Sequence, residues 1–594
     1  IFLLLNTFVW RMLEIESHMV KFSGAPNFIY SDMNGLGPYV AGLTWFRIYW
    51  ALFCILIIFV TIYAWTRGRE TSFRTKMQSV LTGFKGARKP VILSILTLWL
   101  VTAGFIYYNT QQLNTYQTEE EIESVNIKYE QNYKKYQTAI QPRATAFVYN
   151  IDLFPEDRRL EIKGKYWAKN KNNVPIDSLH LTTVPYFTTT ISVPGATKIL
   201  DDQELQYQIL RFKKPLMPGD SILIQFESQY DAKGFENDVT FNSIVDNGSF
   251  FNNYDFCPII GYQPRREIED RDKRKKHGLP ENARLPKLQQ NCTEACMSNY
   301  ITNNSDWVNV ETYFSTSEDE IAVAPGSLQK QWKEGNRNFY HYKLDHKSIN
   351  FYSFISARYE ILRSKHRGID VEVYYDKRHA YNIKNMERSL KKSLDYYITN
   401  FGPYYHKQVR IIEFPKYDSF AQAFPGTMPY SESIGFIAKI EDEDDIDMVF
   451  YVVAHEMGHQ YWAHQLIGSE MQGATMLSET FSQYSALMVM EKEYGRDAMK
   501  KFLKYEMDGY LRSRGSERIK ELPLKLVENQ GYIHYQKGSL VMYYLKEMIG
   551  EKQLNAALQE LLLAYAYKEP PYPTSNHAVS IFRSHTPDSL QYII

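Results

Sequence analysis

The chain has 594 residues, in which 68 Lys and Arg are balanced by 68 Asp and Glu, and 44% of its residues are hydrophobic. That length calls for several domains, and the apolar content is sufficient for packed cores. A formal net charge of zero gives no hint of nucleic-acid binding, so no nucleic-acid partner is expected.

The first elements are apolar. Ile1 to Trp10 reads as the tail of a membrane span, which implies that the sequence starts inside a longer protein. A second span is expected near residues 45–65, where Ile48 to Trp65 carries no charge, and a third near 90–108, from Pro90 to Tyr108. Both uncharged runs are long enough to cross a bilayer and have Trp and Tyr at their ends, so membrane lipid is an expected partner of residues 1–108. Residues 66 to 89 hold seven Lys or Arg against one Glu, whereas 109 to 127 hold no basic residue. The excess of positive charge places that loop in the cytoplasm and everything after Tyr108 outside it.

Residues 109–142, rich in Glu, Lys, Gln and Tyr, read as a helical stalk or linker without a core of its own. From 143 to 364, alternating runs such as Ala146 to Leu153 and Ser221 to Phe226 predict antiparallel strands. Within them Arg265 to Arg284 is strongly charged and is expected as a solvated loop. Cys257, Cys292 and Cys296 fall on the outer side, where one disulfide is permitted. From 365 to 594 a few strands give way to helices. The fold class expected overall is membrane-anchored α+β.

The chemistry concentrates at His455-Glu-Met-Gly-His459. On a helix these histidines project from one face and can share a metal ion, with Glu456 beside them to take a proton from water. The apolar run from Met448 to Ala454, preceded by acids from Glu441 to Asp447, supports that helix and its start. A catalytic zinc needs a third protein ligand. His464 stands one residue early for the extended histidine motif and is rejected. Glu479, opening a second apolar helix, is the preferred ligand, and Glu470 is the weaker rival.

These residues resemble the M1 family of zinc aminopeptidases, whose pattern is H-E-x-x-H, eighteen residues, then a Glu that opens a helix. Here nineteen residues separate His459 from Glu479. Tyr535-Gln-Lys537-Gly538 resembles the family's Y-x-K-G element, and the resemblance assigns the Tyr535 hydroxyl to the oxyanion. Phe401-Gly-Pro, Arg410 to Pro415 and Ala324-Pro-Gly326 also resemble family segments, so the likeness runs from about Arg143 onward. It implies an antiparallel β (saddle) domain over 143–364, a thermolysin-like, mainly helical domain over 365–594 that stops before the family's closing helical domain, one Zn2+ ion, and peptide substrates.

One departure bears on substrate choice. The family carries G-x-M-E-N on an edge strand whose Glu binds the free α-amine, and this chain reads Gly426-Thr-Met428-Pro429-Tyr-Ser-Glu432. Pro429 replaces that Glu and removes a backbone donor. Gly426 and Met428 are still expected at the substrate strand, and Glu432, three positions on, supplies the negative charge if the loop bulges. The apolar N-terminal part, with this match, resembles fusions of an ABC-transporter permease with an M1 peptidase. No phosphate-binding loop is present, so ATP would bind a separate subunit. Three readings follow: an extracytoplasmic, periplasmic-side aminopeptidase, a zinc endopeptidase, or a transport component whose peptidase-like domain binds or gates substrate.

Overall fold

The structure is a computed structural model that describes residues 15–65, 72–83, 89–238, 241–302, 304–440 and 445–594, with a few positions before residue 15. Most of the expected first span, part of the basic loop (66–71 and 84–88) and the acids 441–444 lie outside the described residues. The chain divides into two compact units, residues 1–122 with 231–245, and residues 123–230 with 246–594.

The first unit holds two long apolar helices, Val40–Ala64 and Lys89–Tyr107. Each is long and apolar enough to cross a membrane. They meet through aromatic pairs, Tyr49 on Trp99 at 5.4 Å and Trp45 on Phe105 at 4.4 Å between ring centres. Elsewhere Ile55, Ile58, Ile62, Leu98 and Val101 lie exposed.

The second unit opens with an eight-stranded sheet whose order is Ser327–Glu334, Arg337–Lys343, Ser305–Ser317, Arg143–Phe154, Arg159–Lys169, Ser221–Asp231, Thr188–Ser192, with Ser348–Ile349 joined to Ser305–Ser317. Strand alternation is as expected, but the central pair, Arg143–Phe154 with Ser305–Ser317, is parallel. These two strands are far apart in the chain, so no hairpin constrains their direction. Smaller sheets of four and three strands complete this part.

Two expectations need correction. The segment 109–142 is not a free-standing stalk: Tyr129 and Tyr133, from the helix Glu119–Tyr133, share a core with Leu205, Tyr207 and Tyr262. The charged stretch after Arg265 also sends one cation inward, because Arg274 makes a two-pronged bond to buried Glu130 at 2.7 and 2.9 Å. A bidentate pair of this kind satisfies a buried guanidinium that water cannot reach. Cys292 and Cys296 form a disulfide, and Cys257 is a buried free thiol.

A second four-stranded sheet runs Glu360–His366, Ile369–Tyr375, Gln408–Phe414, Thr427–Ser431. Its first pair is antiparallel and the other two are parallel. The change of sheet therefore falls between Ala357 and Glu360, a few residues before the expected boundary, since Glu360–His366 pairs with the strand that follows it. Arg410 ties the two parts together by donating to the carbonyls of Ala324 and Gly326. Helices from Ile383–Asn400 onward pack on this sheet around one core that includes Val453, Met457, Trp462, Phe481 and Leu487.

Candidate active site

The motif helix Met448–His459 begins at Asp447, whose side chain accepts the Phe450 N–H at 2.9 Å. That N-cap satisfies a donor that the first turn leaves open. Most of the helix is buried, as its unbroken apolar sequence requires. Immediately after it, Trp462 is buried and donates to Ser485 on the next helix at 2.8 Å.

Glu479 arrives on that next element, a π-helical turn Met476–Thr480 leading into the helix Phe481–Tyr494. A π turn accommodates one residue more than an α turn, and here it offers a place for the additional residue between His459 and Glu479. The two helices cross closely at Gly458, where a Cβ would sit 2.9 Å from Ser482 Cα. Glycine is what permits the approach.

The crossing brings three ligand atoms together. His455 Nε2 and His459 Nε2 are 3.0 Å apart, and Glu479 Oε2 lies 3.5 and 3.2 Å from them. Ligands held at about 2.0–2.2 Å from one tetrahedral ion stand about 3.3–3.5 Å from each other. His459 Nδ1 donates to the Trp462 carbonyl at 3.1 Å, which fixes the tautomer that leaves Nε2 as an acceptor. Glu479 Oε2, His455 Nδ1 and Glu456 Oε2 are buried without a hydrogen-bond partner. Two imidazoles and a carboxylate with unpartnered atoms fit a zinc ion and would be costly to leave bare.

Glu456 is buried beside this triad, and burial raises its pKa against the opposing effect of the two histidines. Its carboxylate accepts from the backbone N–H of Ala423. Tyr535 stands on a second π turn, Tyr532–Lys537, with its ring 5.9 Å from that of His455. Burial, with the neighbouring Glu479 and Glu456 charges, holds its hydroxyl far above the usual tyrosine range, so it remains a proton donor. Gly538 locks this turn against the ligand helix: a Cβ there would come within 2.7 Å of Thr480 Oγ1, and Thr480 donates to the His534 carbonyl at 2.7 Å.

The other expected residues fall elsewhere. His464 sits under the Ala423 carbonyl at 3.1 Å, and burial lowers its pKa to about 3, so it is a neutral donor apart from the triad. The backbone N–H of Glu470 donates to the Ser298 carbonyl, and its carboxyl is not among the clustered ligands. The substrate-strand assignment is corrected. Thr427–Ser431 is not an edge, because it lies between Gln408–Phe414 and an antiparallel arm formed by residues 420–424. Gln422 N–H donates to the Pro429 carbonyl at 3.1 Å and Ser431 N–H to the Phe420 carbonyl at 2.9 Å. Pro429 fits inside this paired strand through its carbonyl. Met428 is core, and the Gly426 N–H donates to Gln460 at 2.8 Å. Glu432 is buried with His379 and Glu413 rather than with the triad.

The edge beside Glu456 is therefore residues 420–424, which the motif reading missed. A signal was present, since Pro425-Gly426 between two short runs marks a hairpin. Tyr300 was also missed; its hydroxyl is 2.5 Å from Ser478 Oγ, next to Glu479, and nothing in its local sequence announces that.

Comparison with known proteins agrees with this architecture. Residues 381–572 match the peptidase family M1 domain. The chain is 27% identical over 211 residues to endoplasmic reticulum aminopeptidase 2 of Homo sapiens, and 24% identical over 197 residues to that of Bos taurus. Those matches cover 34% and 32% of this chain but only 22% and 20% of the relatives. Among solved structures, the M1 zinc metallopeptidase from Deinococcus radiodurans superposes with a TM-score of 0.51 at 12% identity, covering 77% of this chain and 94% of that one. A mutant of it bound to a Tyr-Ser-Ala substrate gives 0.51 at 12% identity, over 76% and 93%. At that identity the likeness establishes an M1-like α+β fold.

Proposed function

We propose that this chain is a zinc-dependent metallopeptidase in which His455, His459 and Glu479 hold one zinc ion, Glu456 moves the proton and Tyr535 steadies the oxyanion. The observation that carries the reading is the meeting of three ligand atoms at 3.0 to 3.5 Å beside an unpartnered oxygen of Glu456. A zinc ion held there supplies a Lewis acid that polarises the scissile carbonyl and acidifies water. Glu456 Oε2 accepts the proton of the attacking water and returns it to the nitrogen of the leaving amine. The Tyr535 hydroxyl donates to the oxyanion as it develops. Replacing Glu456→Gln should lower kcat by about 10²–10⁴-fold while metal content, measured by plasma emission, stays unchanged. Full peptidase activity in that variant would refute the assignment.

Peptides are the inferred substrates. Aminopeptidase action is supported by the family M1 match and by the relatives' names. A specific observation favours endopeptidase action as the second reading: Phe-Ala-Gln-Ala-Phe at 420–424, the edge beside Glu456, bears no acid to anchor a free amine. Hydrolysis rates on free and N-acetylated versions of one peptide separate the two, because an exopeptidase fails on the blocked form.

We also infer that the helices Val40–Ala64 and Lys89–Tyr107 anchor the chain in a membrane, as the end of a permease-like region served by a separate ATP-binding subunit. The peptidase part would then lie on the periplasmic side. Length, apolarity and the basic residues between the two helices support this. External protease should then remove the peptidase part from spheroplasts, and full protection would reverse the topology. If the domain only gates transport, Glu456→Gln should leave transport intact.

A further inference from the structure

All three members of the His455, His459 and Glu479 triad come from the peptidase part, yet one hydroxyl of the β part reaches the turn that carries Glu479. Tyr300 lies between Cys296 and the strand Ser305–Ser317, and its hydroxyl stands 2.5 Å from the Oγ of Ser478, the residue before Glu479. Burial, together with the Glu479 charge, raises the pKa of that hydroxyl, so it stays protonated and can donate. Tyr535 is close enough to be influenced by it as well.

Tyr300 is fixed at its backbone and at its ring. The surrounding chain pairs with residues 468–470, which belong to the connection between His459 and Glu479. Tyr300 N–H donates to the Gly468 carbonyl at 3.3 Å, Glu470 N–H donates to the Ser298 carbonyl at 2.9 Å, and Asn299 bridges Ser469 in antiparallel fashion. Asn299 is fully buried and closes its own turn, accepting the Thr302 N–H at 2.8 Å and donating to Thr302 Oγ1 at 2.8 Å. The Tyr300 ring packs against a core of Trp307, Ile349, Ala463, Ile467 and Tyr572, which draws on both parts. A side chain locked in this way can hold a functional group to a precise place.

Ser478 is where that precision is received. Its hydroxyl faces Tyr300, and its carbonyl accepts the Phe481 N–H at the end of the π turn Met476–Thr480. The next side chain, Glu479, sends its Oε2 to within 3.5 and 3.2 Å of the two histidines. A π turn is a rare departure from regular helix, so contacts from outside the helix have to keep this one in shape.

We propose that Tyr300 is a positioning residue for the zinc ligand Glu479, acting through Ser478, so that the β part completes the metal centre of the peptidase part. The inference rests on the zinc reading above. Tyr300 offers no ligand of its own; it holds the turn that aims the ligand, as outer hydrogen bonds do at metal sites.

The test is the zinc affinity of the purified full chain, measured by competition with a chelator. Tyr300→Phe keeps the ring and removes only the hydroxyl, and it should weaken zinc binding about 10–100-fold. Ser478→Ala should weaken it by the same factor, and the double variant should lose no more than either single one, because the two residues act as a unit. Tyr572→Phe removes another hydroxyl from the same core, one that donates to Asp306 at 2.7 Å, and should leave zinc affinity unchanged. Wild-type affinity in Tyr300→Phe, an equal loss in Tyr572→Phe, or losses that multiply in the double variant would each overturn the proposal and leave the zinc reading in place. A wild type that takes up no zinc overturns both.

Discussion

Two apolar helices in this chain have opposite surroundings. Val40–Ala64 is twenty-five mostly apolar residues with Arg47 its one charged residue, and much of its surface is exposed. Met448–His459 is also rich in Val, Phe, Tyr and Ala, yet it is only twelve residues long and lies within the core. The first has the length to meet lipid, whereas the second is too short to span anything and is covered on all sides by protein. Apolar content alone does not decide where a helix goes; length and neighbours do. The difference also explains where chemistry is placed, because only the protein-covered helix has partners that can hold histidines and a glutamate at fixed distances.

The sharpest way to break the comparison is to place the same charge on both helices. Val453, fully buried on the motif helix, should not accept Arg: Val453→Arg is expected to destabilise the peptidase part by about 4 kcal/mol or more, measured as a fall in urea midpoint. Ile58, 55% exposed on the long helix, should tolerate Ile58→Arg without any change in that midpoint. Its effect should be on membrane retention, at about 2.5–3.5 kcal/mol for a central Arg.

Glycines give the next contrast. Gly458→Ala forces a methyl against Ser482 and should weaken zinc affinity about 10–100-fold in a chelator competition, since the two ligand helices must separate. Gly104→Ala, in the helix Lys89–Tyr107, meets nothing within 4 Å and should leave zinc affinity unchanged while stabilising its helix by up to about 1 kcal/mol.

The smallest effect concerns the dryness of the interior around the motif helix. Glu506, 3% exposed and close to Tyr451, has its pKa raised by burial to about 7. The folded state therefore favours the protonated carboxyl. Its contribution to stability is complete below the unfolded pKa of 4.5 and is lost as pH rises toward 7. Over that window the loss is about 3 kcal/mol at most. Glu506→Gln should flatten this part of the curve of urea midpoint against pH. An unchanged slope would mean that water reaches the group.

Much of the site was legible from contiguous residues. The spacing of His455, Glu456 and His459 and the Tyr535 to Gly538 element carry their meaning within one or two helical turns, where 3.6 residues per turn fixes which side chains face together. The apolar runs near 45–65 and 90–108 were legible for the same reason. Resemblance to a motif failed where geometry was non-local: Gly426 to Glu432 was matched to a substrate edge that residues 420–424 occupy. The buried Arg274 to Glu130 pair joins residues 144 apart, and no local pattern distinguishes that arginine from its solvated neighbours.

Sequence by itself determined the helices, the strand alternation, two histidines on one face and the glutamate between them, because each depends on backbone periodicity over a few residues. Tertiary structure decided which acid meets those histidines, which strand borders Glu456, and that His379, Glu413 and Glu432 converge. Those outcomes depend on how closely elements approach, as at Gly458 and Gly538, and close packing is a property of surfaces brought together from distant parts of the chain.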